Sequence, residues 1–160
     1  MPRPDPAASR RPTLSLKGRA LKYLAAREHS RVELTRKLAP HAESPEQVAQ
    51  LLDELEQKGW LSAERFAESM LHRKGARYGA ARLKAELAQH QLPPEVASAA
   101  AQTLRETEFV RAHALWLRRF GAPPETLEDK ARQTRFLLNR GFASDVVRRV
   151  IRGDGLLTSE

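Results

Sequence analysis

Five arginines near the end of the chain have the type and spacing to act together: Arg132, Arg135, Arg148, Arg149 and Arg152. A guanidinium is a permanent cation, and its planar fork of N–H donors matches phosphate and carboxylate oxygens. Val146, Val147, Val150 and Ile151 fall on one side of a helix, which leaves Arg148, Arg149 and Arg152 on the other. Arg132 and Arg135 stand three residues apart and share a face of the preceding helix. The five form either one anion-binding patch or an ordinary solvated surface. Spacing leaves both readings open.

Catalytic chemistry finds no constellation. No G-x-x-x-x-G-K-[ST] loop is present, and no G-x-G-x-x-G follows a strand. Tyr78-Gly79-Ala80-Ala81 opens a helix whose free amides could meet a phosphate, but one glycine is weak evidence and a plain helix start is the better reading. His29, His41, His72, His90 and His113 never pair at i, i+3 or i+4, so no single helix offers a metal-ligand set. A metal site assembled across helices stays open, though the carboxylate–histidine spacing that would support it is missing. Most carboxylates have local roles. Glu33, Glu46 and Asp145 cap helices, Glu64 and Glu95 lie in first turns, and Glu86 pairs with Arg82 at i, i+4. The expectation is therefore no catalytic residue, no metal and no cofactor.

Charge is the clearest global signal. The chain has 160 residues and a formal charge of +8, with arginine far above lysine. A field of that sign favours polyanionic partners, although a GC-rich genome would enrich arginine and alanine together. Residues 109–160 hold ten Lys/Arg against six Asp/Glu, while residues 61–108 are nearly balanced at seven against six. Cysteine is absent, which excludes disulfides and thiolate metal sites. No apolar run approaches the roughly 18–20 residues of a membrane span. The first residues, rich in Pro, Ala and Arg, do not read as a secretory signal. A cytoplasmic, monomeric protein with no membrane partner is expected.

The elements that position these side chains are helices. Ala, Leu, Glu and Arg dominate, and strand signals are nearly absent. Ser30-Arg31-Val32-Glu33 reads as a capping box, and Ser44-Pro45-Glu46-Gln47 as a second. Val48, Leu51, Leu52 and Leu55 then form one stripe, stopped by Gly59 after Lys58. Phe109, His113, Trp116, Leu117 and Phe120 form another, read as core, with His113 a packed histidine whose nitrogen is satisfied. The pattern gives nine helices: 14–27, 31–39 and 45–58; 63–74, 79–90 and 94–105; 108–120, 126–140 and 145–152. A short phrase (a turn former, an acid, then a valine) recurs at Val48, Val96 and Val146, about fifty residues apart. That period suggests a stack of helical modules offering a long surface to a partner.

Several phrases, in order, resemble the bacterial RecX family. They are residues 20–34, from Ala20 through Tyr23 and His29 to Leu34; Leu51-Leu52-Asp53-Glu54-Leu55 followed by Gly59-Trp60-Leu61 and Arg65-Phe66-Ala67; Gly79 through Leu87; and Arg135 through Phe142. The matches cover roughly residues 18–152. Ser62-Ala63 stand where the family usually has acids, and a proline usual near Ala80 is missing, so a cap or turn there departs from the pattern. The resemblance implies an all-α fold of three tandem three-helix repeats in an elongated, curved array. The division is a disordered arm at 1–13 carrying Arg3, Arg10 and Arg11, repeats at 14–61, 62–106 and 107–152, and a flexible tail at 153–160.

The resemblance also implies a non-enzymatic regulator of the RecA recombinase. Such a protein would bind along the groove of the RecA–DNA filament and suppress strand exchange, ATP hydrolysis and coprotease activity. Contacts to DNA or to acidic filament surfaces are then assigned to Arg73, Lys74, Arg77, Arg82 and Lys84 in the middle unit, chosen partly for their place beside a matched segment. In the last unit they are assigned to Arg132, Arg135, Arg140, Arg148, Arg149 and Arg152. The rival reading is a helical module that binds single- or double-stranded DNA without a recombinase. A sequence-specific reader would start its recognition helix with base-contacting side chains. Ala80-Ala81, Glu46-Gln47 and Glu95 favour non-specific contact instead.

Overall fold

A computed structural model of the chain describes residues 13–154; residues 1–12 of the expected arm at 1–13 and residues 155–160 of the expected tail at 153–160 lie outside the described residues. The described residues form eight α-helices and one 3₁₀ turn, with no strand among them. The chain divides after Ser62 into two units.

The first unit holds α1 (Leu16–Ala26), α2 (Arg31–Leu38), a 3₁₀ turn (Ala39–His41) and α3 (Pro45–Gln57). The capping box at α2 is complete: the Ser30 hydroxyl accepts from the Glu33 amide, and Glu33 accepts from the Ser30 amide. At α3 only half of the expected box forms. Ser44 accepts from the Gln47 amide at 3.2 Å, but the Gln47 side chain reaches one residue further back, to the Glu43 amide, at 2.8 Å. The stripe Val48, Leu51, Leu52 and Leu55 is buried against Leu34 and Leu38. Each such side chain contributes about 1.5–3 kcal/mol by leaving water. Gly59 ends α3 with φ +74°, a region that costs other residues strain.

A buried polar cluster ties α1 to α2. Arg27 donates to both carboxylate oxygens of Glu33, and His29 bridges the Arg27 carbonyl at 3.0 Å and the Lys37 ammonium at 2.9 Å. Burial opposes ionisation of Glu33, but the Arg27 and Ser30 hydrogen bonds outweigh it and hold its pKa at about 2. Burial lowers the pKa of His29 and keeps the ring neutral, so one ring nitrogen can accept from Lys37.

The second unit holds α4 (Ala63–Lys74), α5 (Ala80–Ala88), α6 (Pro94–Arg119), α7 (Leu127–Asn139) and α8 (Ser144–Arg152). The helices expected at 94–105 and 108–120 are one continuous helix of 26 residues. Glu106, Thr107 and Glu108 contain neither Gly nor Pro, so nothing breaks the hydrogen-bond ladder between them. The first half of α6 closes a core with α4 and α5 around Phe66, Met70, Leu83 and Leu104. Its second half closes another with α7 and α8 around Trp116, Leu137, Val147 and Val150. Leu117 is a further correction: it is 53 % exposed, because the buried face of α6 runs through Ala112, Leu115 and Trp116. His113 stacks on Phe109 and meets Trp116 at a tilt, and the expected partner for its nitrogen is not found: it makes no hydrogen bond to another described residue.

Candidate nucleic-acid interface

The turn between α4 and α5 is fixed from below by α6. The Arg111 guanidinium donates to the carbonyls of Gly75 (2.9 Å), Tyr78 (2.6 Å) and Leu104 (3.0 Å) and to the Thr107 hydroxyl (3.0 Å). Arg118 donates to the Ala76 carbonyl at 3.2 Å. Burial pulls the Arg111 pKa below the usual arginine range, with Glu108 opposing the shift. Glu108 is itself buried and accepts from the Ala143 amide at 2.9 Å, at the start of α8. These two adjacent stretches of α6 hold the α4–α5 turn and the α7–α8 turn.

The two turns touch through backbone. The Gly79 amide donates to the Arg140 carbonyl at 2.7 Å. A Cβ added at Gly79 would lie 2.2 Å from the Gly141 carbonyl carbon, and one added at Gly141 would lie 2.6 Å from the Arg82 Cβ. Gly141 also has φ +89°. Only hydrogen fits at either position. The α7–α8 turn thus packs on the opening of α5 and takes the Gly79 amide, one of the donors considered for a phosphate at Tyr78-Gly79-Ala80-Ala81.

This approach gathers cations around one ring. The guanidinium carbons of Arg82, Arg77 and Arg140 lie 4.0, 5.5 and 5.6 Å from the Tyr78 centroid. None of the three makes an ion pair to a described residue. Arg140 also lies 5.1 Å from the Phe136 centroid, where Arg119 approaches at 5.7 Å. Phe136 meets Phe120 edge-on at 5.4 Å, and Phe120 has Arg119 at 5.5 Å and Arg132 at 6.0 Å. Tyr78, Phe136 and Phe120 therefore alternate with five guanidinium groups drawn from three helices and two turns. Interleaved rings and cations suit single-stranded nucleic acid: bases stack on π faces or guanidinium planes while phosphates meet the charges.

The other expected residues are placed differently. Lys74 pairs with Glu86 and braces α4 against α5, so Glu86 is taken by Lys74 rather than by Arg82. Arg73, Lys84 and Arg135 are exposed and pair with no described carboxylate. Arg132 pairs with Asp129 at 3.2 Å, and Arg152 with Asp154 at 2.6 Å. Arg148 and Arg152 line a cleft of about 360 Å³ with Lys130 and Thr134. Arg149 turns to the Phe109 ring, 4.4 Å away. No hydrogen bond or shared ring joins this α8 group to Arg132 and Arg135 among the described residues. Sequence reasoning missed Tyr78, Phe120, Phe136, Arg111 and Arg119. A local signal did exist in Tyr78–Arg82 and Phe136–Arg140, each at i, i+4.

Among the described residues no cluster of His, Cys, Asp or Glu could hold a metal, and no helix is long and apolar enough to cross a membrane. Among the described residues every buried side-chain nitrogen and oxygen has a hydrogen-bond partner. In particular, Trp116 donates to Gln133 at 2.8 Å, and Gln133 donates to the Ala122 carbonyl at 3.2 Å.

Comparison with known proteins places the chain. Three family models match it: RecX, first three-helix domain, over residues 17–55; RecX, second three-helix domain, over 64–100; and RecX, third three-helix domain, over 106–151. "Regulatory protein RecX" of Leptothrix cholodnii is 55 % identical over 91 % of this chain and 92 % of its own length. "Regulatory protein RecX" of Ralstonia pickettii is 57 % identical over 89 % and 90 %. The fold matches the crystal structure of RecX from Lactobacillus salivarius with a TM-score of 0.70 at 18 % identity, covering 89 % of this chain and 96 % of that one. With its three-helix domains in order along an all-helical chain, this protein belongs to the RecX family of regulatory proteins.

Proposed function

We propose that the protein restrains RecA by binding the RecA–DNA filament, lowering strand exchange, ATP hydrolysis and coprotease activity. The observation that carries the reading is identity above one half, across nearly the whole chain, with relatives named as regulatory RecX proteins. The alternation of Tyr78, Phe136 and Phe120 with Arg77, Arg82, Arg140, Arg119 and Arg132 supports a direct contact to DNA within that assembly. A protein made of successive helical units meets several filament subunits at once, and contacts on one body reinforce each other through high effective concentration.

The test is RecA ATP hydrolysis on single-stranded DNA, titrated with this protein. Strong inhibition well below one molecule per RecA protomer is expected. Absence of inhibition, together with tight binding to bare duplex, would replace this reading with that of a DNA-binding module acting alone. Replacing Arg77, Arg82 and Arg140 by Gln is expected to weaken binding to single strands and to flatten its salt dependence, because fewer counterions are released.

A further inference from the structure

A trough of about 400 Å³ runs between α4 and α6. Ala67, Leu71, Val96, Ala99 and Ala100 floor it, and Glu64, Glu68 and Glu95 line its rim. A second stretch of about 430 Å³ shares Leu71 and Thr103 with the first and continues to Val110, a valine that is 68 % exposed. Together they make one open furrow along the helix pair.

Its chemistry narrows the occupant. A furrow open along its length takes an elongated ligand. Alanines between two helices leave low ridges, on which a third helix can lie closely. The carboxylate rim, in a chain of net charge +8, repels phosphates and attracts ammonium or guanidinium groups at the edges of an apolar contact. The exposed apolar side chains that a second copy of this chain could offer, Leu14, Trp60, Leu117, Leu127 and Leu138, are scattered, with no more than two of them on any one helix.

We propose that this furrow docks a cationic amphipathic helix of a partner protein. The apolar face of that helix would sit on Ala67, Leu71 and Ala99, and its flanking Lys or Arg would meet Glu68 and Glu95. This is the helix-in-groove mode of recognition. The contact residues Ala67, Leu71, Ala99, Glu68 and Glu95 are not among the side chains of the cation–aromatic interface, so the proposal stands or falls independently of the DNA contact.

The probe is a fluorescein-labelled synthetic peptide of about 18 residues, five helical turns, with Leu on one face and Lys elsewhere, titrated into the full chain. Saturable binding is expected, and a peptide with Glu in place of Lys should not bind. Each exposed ion pair is worth up to about fivefold, so Glu68→Lys with Glu95→Lys should weaken binding about tenfold or more. Ala99→Trp, which fills the furrow, should abolish it while helicity is retained. If Ala99→Trp fails to fold, a photo-cross-linker on the peptide takes its place and should label α4 and α6. Undiminished binding to the charge-reversed variant, or cross-links elsewhere, would overturn the proposal. Self-association of the wild type that Ala99→Trp removes would overturn the partner assignment, because a second copy would then be the occupant.

Discussion

The two halves of α6 present opposite chemistry on one continuous rod. The first half, from Pro94 to Glu106, is rich in alanine and floors the furrow rimmed by Glu64, Glu68 and Glu95. The second half carries Arg111, Arg118 and Arg119, which anchor the α4–α5 turn and feed the cation–aromatic interface. The balance of charge thus changes sign along one helix: Glu95 and Glu106 outweigh Arg105 in the first half, and Arg111, Arg118 and Arg119 outweigh Glu108 in the second. The same backbone that closes two cores gives each module a different outward face. Tandem repeats of one architecture need not repeat one binding function.

The largest way to break this contrast is Arg111→Ala. It removes donors to three carbonyls in a half-buried site, so a loss of about 2–3 kcal/mol is expected. Glu106→Ala in the first half should stay within about 0.5 kcal/mol. Chemical denaturation of both variants measures the difference, and equal costs would remove the asymmetry between the halves. Gly79→Ala comes next. Its Cβ would force the α7–α8 turn away, at about 1–3 kcal/mol, and should weaken binding to single-stranded DNA by separating Arg140 from Tyr78.

The first unit provides an internal reference by pH. The carboxyl of Glu33 has its folded pKa depressed to about 2. Its stabilisation is therefore full above the unfolded value and is lost as pH falls from about 4.5 towards 2. With the half-exposed Arg27 partner discounted, the loss amounts to about 2 kcal/mol. His29, also depressed, adds a loss in the same direction as pH falls below its ordinary value. Thermal melts from pH 7 to pH 3 should show Glu33→Gln much less pH-sensitive than the wild type. The smallest stability effect is expected for Arg148→Glu, Arg149→Glu and Arg152→Glu together. All three are exposed, so each change should move stability by only about 0.5 kcal/mol or less. Affinity for DNA or filament should still fall, with a shallower salt slope in anisotropy titrations. Unfolding of that variant would make those arginines structural.

Much of the fold was legible because its signals are local. A hydroxyl three residues before Glu33 defines the α2 cap, and four spaced apolar residues define the buried face of α3. The split of α6 into two helices misread a repeat period as a break, where no residue at 106–108 interrupts a helix. The interface was half legible. Composition and position picked out Arg77, Arg82, Arg132 and Arg140. Their convergence depends on Gly79 meeting Gly141, an approach across more than sixty residues that no local pattern encodes. Reading arginines by the face of their own helix grouped Arg132 with Arg148. In the fold, Arg132 turns to Phe120, while Arg148 lines a separate cleft.

The uninterrupted α6 has a mechanical consequence. At about 1.5 Å per residue, its 26 residues make a strut of roughly 39 Å with no proline or glycine inside it to bend at. Ligands seated near opposite ends would be held at a set spacing. A push on one would be passed to the other as load along the rod instead of being absorbed by a joint.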